Sequence, residues 1–153
     1  MYVIVSYVVS DIPITTPSFW ISDECTDQVL KNVFRSETDE EIPLLQERMD
    51  VLREAGKVLE EEFEGKVSTL VEDAKNSAAR LVNLLADHFL CFNDVHKFGR
   101  KTVRLLKRAQ IFVADVWAAF DKEGYGMFDD IDKITMFAGK STLREDRGHT
   151  KRC

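Results

Sequence analysis

Cysteine is scarce. Cys25, Cys91 and Cys153 are the only three, far apart and without a CxxC pair. This argues against a disulfide framework and fits reduced thiols in a cytoplasmic or nuclear setting. Long hydrophobic runs are missing too. The apolar opening YVIVSYVV is too short to cross a bilayer. It also lacks the basic leader and small-residue cleavage site of a secretory signal, and its alternation reads as a strand-like lead-in. Positive charge is in deficit, with 21 Lys and Arg against 27 Asp and Glu, a net −6. That disfavours broad binding to a nucleic-acid backbone but leaves room for a local basic pocket. No repeat, no linker and no succession of period-2 segments is visible.

What remains is 153 residues that are 44% hydrophobic and 31% charged. A chain of this size can bury about two thirds of its unfolded surface in one core. Pro13 and Pro17 keep the segment DIPITTPSFW extended or turning. Thr26 is placed to cap a short helix carrying Val29, Leu30, Val33 and Phe34. Pro43 suits the first turn of the next helix. That helix has an apolar stripe of Leu45, Met49, Leu52, Leu59 and Phe63, with Gly56 lying between two of its turns. Gly65 ends it. A third helix carries Val67, Leu70, Val71 and Ala74, and either continues or breaks around Asn76-Ser77. AARLVNLLADHF is the most apolar helix up to that point. LCFNDVHKFG reads as a loop ending at Gly99. TVRLLKRAQIFVADVWAAF is apolar on nearly all sides between Leu105 and Phe120, which predicts a central, buried helix. Gly124 and Gly126 mark a turn, and FDDIDKITMF a last short helix. These elements predict one all-α domain.

Two stretches imitate known sites. Gly139-Lys140-Ser141 resembles the end of a P-loop, but the glycine required five residues earlier is Ile134, and no buried strand precedes it. DKEGYGMFDDID places Asp121, Glu123, Gly126 and Asp132 at EF-hand positions. Its fifth position is Tyr125, however, and its twelfth is Asp rather than the bidentate Glu. His88, His96 and His149 share no metal-ligand spacing, and His88 reads as a packed or boundary residue. No nucleophile elbow or Ser/His/Asp order stands out.

Lys107, Arg108 and Asp115 interrupt the apolar helix. A buried charge is costly unless it is paired or faces a ligand. Lys107 and Arg108 diverge by about 100° on a helix, so at most one faces a given pocket squarely. Two readings stand. In one, one cation reaches solvent while the other pairs with a carboxylate such as Asp115 or Asp94. In the other, one of them anchors a phosphate. The ITMF segment reads as core by itself.

The pieces IPITTPSFW, DQVLKNVFRSETDEEIPLLQERMDVLREAGKVL, NSAARLVNLL, KRAQIFVADVWAAF and DDIDKITMFA stand in one order between Asp11 and Ala138. In them the chain resembles the queuosine salvage family, the queuosine 5'-phosphate N-glycosylase/hydrolases. The resemblance implies a helical fold, this chain matching the middle part of a DNA-glycosylase-like shape. It implies hydrolysis of an N-glycosidic bond to release queuine, a deazaguanine base later inserted into tRNA by a separate transglycosylase. It implies no metal and no organic cofactor. The partner it implies is a small nucleotide, with no direct nucleic-acid binding, no membrane, and contact with a full-length homologue as an expectation.

On that resemblance Phe137 stacks on the flat base with Met136 beside it. Lys107, with Arg108 second, holds the 5'-phosphate by charge-assisted hydrogen bonds. A carboxylate would stabilise the positive charge that builds on the ribose. The family pattern continues TMFADYR, whereas Gly139 here takes the aspartate's place. The expectation is therefore a partial family member, impaired in catalysis, with residues 1–10 as a lead-in, 11–138 as the helical domain and 139–153 as a divergent tail. The alternative is a non-catalytic helical binding or interaction fragment.

Overall fold

A computed structural model of the chain describes residues 12–35 and 42–135. The expected lead-in and the divergent tail lie outside them. The chain divides into two compact units, Met1–Asp73 and Ala74–Cys153.

In the first unit, Pro17 opens a single-turn helix α1 (Pro17–Trp20). Trp20 is held by its indole N–H, which donates to the Ile14 carbonyl at 2.7 Å. Thr26 caps α2 (Asp27–Val33), its hydroxyl accepting from the Val29 N–H at 3.3 Å. That bond satisfies one of the orphan donors of the first turn. α3 (Leu45–Glu62) starts two residues beyond Pro43, from Leu44 in the left-handed region at φ 57°. Its expected stripe points inward, with Met49, Leu59 and Phe63 buried. Leu45 and Leu52 pack against a cluster of Phe19, Cys25, Leu30 and Met49. Gly56 is where α1 crosses α3. A Cβ there would meet Ile21 Cγ2 at 2.9 Å and the Pro17 carbonyl oxygen at 3.2 Å. α4 (Val67–Asp73) buries Leu70 and Val71.

The second unit begins where the helix pattern breaks. Lys75 and Asn76 both take positive φ, so the helix does not continue. Ser77 caps α5 (Ala78–His88), its hydroxyl accepting from the Arg80 N–H. α5 buries Ala78, Leu81, Val82, Leu85 and Ala86 on one face. His88 is half-buried at its last position, the boundary place expected of it. A 3₁₀ turn (Leu90–Phe92) follows.

The expected loop of 90–99 is then partly ordered as a hairpin, β1 (Val95–Phe98) and β2 (Lys101–Arg104). The register pairs Val95 with Arg104, His96 with Val103, Lys97 with Thr102 and Phe98 with Lys101. Gly99, at φ 62°, begins the two-residue turn, which requires a left-handed first residue. So small a hairpin leaves the chain helical in class. α6 (Lys107–Ala119) packs on α5.

The central, fully buried helix expected at α6 is not observed. Only Ala109 and Val113, one turn apart, are buried. Among the described residues α6 packs on α5 and on two 3₁₀ turns, and most of its other apolar residues are half-buried. Phe120 just beyond it is 48% exposed. Gly124–Gly126 and Ile131–Lys133 are 3₁₀ turns. No helix of the described residues is long and apolar enough to cross a membrane.

Candidate functional site

The site is built at the start of α6. Leu106, buried and left-handed at φ 50°, turns the chain from β2 into the helix. Its own side chain cannot cap the exposed N–H groups, so a distant residue does. Asp94 accepts from the Lys107 N–H through Oδ2 at 3.0 Å. Its main-chain carbonyl also accepts from the Leu105 N–H at 3.1 Å. Asp94 thus ties the base of the hairpin to the first turn of α6. Its other oxygen, Oδ1, is buried without a hydrogen-bond partner among the described residues. A carboxylate at that position is favoured by the helix dipole. It already supplies negative charge to the helix N-terminus, so an incoming anion must be held by side chains rather than by that backbone.

Lys107 and Arg108 are the basic side chains of that first turn. Both are exposed and line an open cleft of about 650 Å³, with Leu90, Asp94, His96 and Ile111 among its other walls. The cleft is broad, so two side chains diverging around the helix can both border it. The Arg108 Nη1 donates to the Cys91 carbonyl at 3.1 Å. Cys91 is placed by its neighbour Phe92, whose ring meets Phe89 and Phe112 edge-on at 6.1 and 5.8 Å. These aromatic contacts fasten the 3₁₀ turn to α6. Neither Lys107 nor Arg108 forms an ion pair among the described residues, so pairing with Asp94 or Asp115 does not occur. Asp94 is engaged by backbone, and Asp115 is exposed.

Gln110 has no counterpart among the residues singled out from sequence. It lies one turn beyond Lys107. Its Oε1 accepts from both the N–H and the hydroxyl of Thr135, at 2.8 and 2.7 Å, while its Nε2 donates to the Leu105 carbonyl at 3.0 Å. Thr135 is the first residue of the TMF segment. The amide therefore brings the start of that segment to the turn that carries Lys107 and Arg108. The signal in sequence was a polar amide inside an apolar helix, with no hint of its partner. Met136, Phe137 and Gly139 lie outside the described residues.

Of the acidic residues before TMF, Asp130 is engaged elsewhere. Asp130 accepts from the Ser77 hydroxyl at 2.9 Å and from the Ala78 N–H at 2.6 Å, at the head of α5. Burial pushes its carboxyl pKa up, but these bonds and Lys133 outweigh burial and hold it below the ordinary value. Asp129 and Asp132 are exposed. The EF-hand-like segment forms the turn Gly124–Gly126, with Tyr125 edge-on to Phe120 at 5.7 Å. Among the described residues no group of three or more His, Cys, Asp or Glu side chains could hold a metal ion.

Fold and site together define a predominantly helical protein with a cation-lined cleft at one helix N-terminus. A family model described as queuosine salvage protein matches residues 2–142, and the chain belongs to that family. A Schizosaccharomyces pombe relative is 45% identical over 128 residues, 83% of this chain and 37% of its own length. Relatives from Bos taurus and Sphaerobacter thermophilus are 40% and 41% identical over 127 residues. All three are named queuosine 5'-phosphate N-glycosylase/hydrolase. The chain spans 37–38% of the length of these curated relatives.

Proposed function

We propose that this chain carries part of the machinery that hydrolyses the N-glycosidic bond of queuosine 5'-phosphate and releases queuine. The observation that carries the reading is the pair of hydrogen bonds from Thr135 to Gln110. They join the segment expected to hold the base to the helical turn expected to hold the phosphate. The relatives' names supply the substrate.

In this reading Lys107, with Arg108 beside it, binds the 5'-phosphate. Both cations border the cleft, and the one carboxylate that shares its wall, Asp94, is bonded to the Lys107 N–H rather than to either side chain. Phe137 stacks on the deazapurine, with Met136 beside it. Cleavage builds positive charge on the ribose, which a nearby carboxylate would stabilise. Gly139 offers none. Asp94 and Asp130 are committed to capping α6 and α5, so they are poor substitutes. The chain therefore binds nucleotide but turns it over at least about a hundredfold more slowly than the relatives, the usual consequence of losing one charge-stabilising group.

Two measurements test this. Chromatographic assay of free queuine from queuosine 5'-phosphate should give that deficit against the Schizosaccharomyces pombe relative, and equal rates would refute it. Calorimetry should show nucleotide binding that Lys107→Ala weakens roughly tenfold or more, as expected for a lost charge-assisted contact. Undetectable binding by both proteins would remove the anchor.

A second reading is a non-catalytic interaction fragment. Phe120, Tyr125 and Met127, large apolar side chains exposed beyond α6, support it. Undetectable nucleotide binding together with association with a full-length homologue would favour it.

A further inference from the structure

The cleft accounts for only part of an unusual concentration of charge. From Val95 to Arg108 the chain carries Lys97, Arg100, Lys101, Arg104, Lys107 and Arg108 and no Asp or Glu, in a protein of net charge −6. All six cations are exposed. Asp87 pairs with Arg104 at 2.7 Å, and Lys107 and Arg108 border the cleft. Lys97, Arg100 and Lys101 form no ion pair among the described residues and do not line the cleft.

Their placement follows from the hairpin register. His96 borders the cleft and faces Val103 across the two strands. Lys101, two residues before Val103 on the same strand, shares its face about 7 Å further along. Arg100 sits in the turn beside it, and Lys97 stands next to His96 on the other face. Such separations fall within the Debye length of about 10 Å at 0.1 M salt. A net negative protein repels a phosphate dianion at long range, and a local cluster of one sign reverses that field near a cleft.

We propose that Lys97, Arg100 and Lys101 form an electrostatic collector for the doubly charged phosphate monoester of the nucleotide. They speed its capture and raise the preference for the phosphorylated over the unphosphorylated nucleoside, without touching the bound ligand. This rests on the cleft reading given above. It goes further by assigning residues outside the cleft to phosphate selection.

The test compares the full chain with a K97Q/R100Q/K101Q variant. All three side chains are exposed, so the fold should survive, and circular dichroism would verify it. Stopped-flow association of queuosine 5'-phosphate should slow roughly three- to tenfold at about 20 mM salt and converge with wild type at about 500 mM. Binding of unphosphorylated queuosine should not change. Lys107→Ala should weaken nucleotide binding at both salt concentrations. Equal rates at low salt overturn the collector, and so does a deficit that persists at high salt, which would mean direct contact. Loss of binding to a tRNA-length RNA, with nucleotide association unchanged, would assign the hairpin to RNA and overturn it too.

A second readout is independent of the cleft reading. Paired anionic and cationic paramagnetic cosolutes report the local anion excess at the Arg108 amide by NMR. Wild type should show an excess that the triple variant loses. If no nucleotide binds but the excess is present and lost in the variant, the cleft reading fails and anion collection stands. Absence of the excess in wild type overturns the collector regardless of nucleotide binding.

Discussion

Two carboxylates decide how this molecule can use charge. Asp130 serves α5 from a distant turn, binding the Ser77 hydroxyl and the Ala78 N–H. Hydrogen bonds to a charged group contribute about 1.5–3 kcal/mol. Asp130→Ala should therefore lower stability by about 2 kcal/mol in urea unfolding. The folded-state pKa lies below the ordinary 3.8. The stabilisation is thus present above that value and fades as pH falls through the lower, folded-state pKa. Below pH of about 4 the gap between wild type and Asp130→Ala should narrow, and a constant gap down to strong acid would contradict the assignment. Asp94 plays the same part for α6, and the cations of that turn form no ion pair among the described residues. For Asp94 the sequence suggested Lys107 or Arg108 as partner, but as an ion pair rather than through the Lys107 N–H; the Asp130 partnership was not legible. Asp130 is far along the chain from Ala78, and nothing in the local pattern of either segment names the other.

At the scale of elements, periodicity was a reliable guide wherever one face met one neighbour. α2 and α5 begin at Thr26 and Ser77, each bonded as an N-cap should be. The stripe of α3 is buried as its spacing requires. Gly56 within it permits the close crossing with α1, so Gly56→Leu should cost about 1–3 kcal/mol by overpacking, read as an earlier thermal or urea transition. Leu44 is the opposite case. It is 66% exposed and left-handed at φ 57°, a conformation costing a non-glycine residue about 1–2 kcal/mol. Leu44→Gly should then raise stability by about 0.5–1 kcal/mol after the extra chain entropy of glycine is counted. A loss of stability would show that the exposed side chain packs in a way its accessibility hides. The hairpin leaves little trace in the sequence because the residues of KTVR are all exposed, and no alternation of apolar and polar residues marks β2.

For the whole molecule, apolarity was an imperfect measure of burial. The helix from Lys107 to Ala119 looked central by composition, yet its inner line is only Ala109 and Val113. Burial depends on how many neighbours surround an element, and among the described residues α6 packs on α5 and two 3₁₀ turns. On the proposed reading the deficit at Gly139 belongs to the same scale, because it would join a family pattern to turnover. Gly139→Asp should raise queuine release at least about tenfold over the unaltered chain, by restoring charge stabilisation at the ribose. No gain would show that one carboxylate is not the limiting deficit.

Local chemistry alone determined the helical class, the caps at Thr26 and Ser77, the buried stripe of α3 and the family pattern. These depend on residues within a turn or two of one another, or on their order along the chain. Tertiary structure alone decided that Asp94 and Asp130 cap distant helices, that Gln110 binds Thr135, and that Lys107 and Arg108 border one cleft. Hydrogen bonds and field lines act through space, and the chain brings their partners together only when it folds.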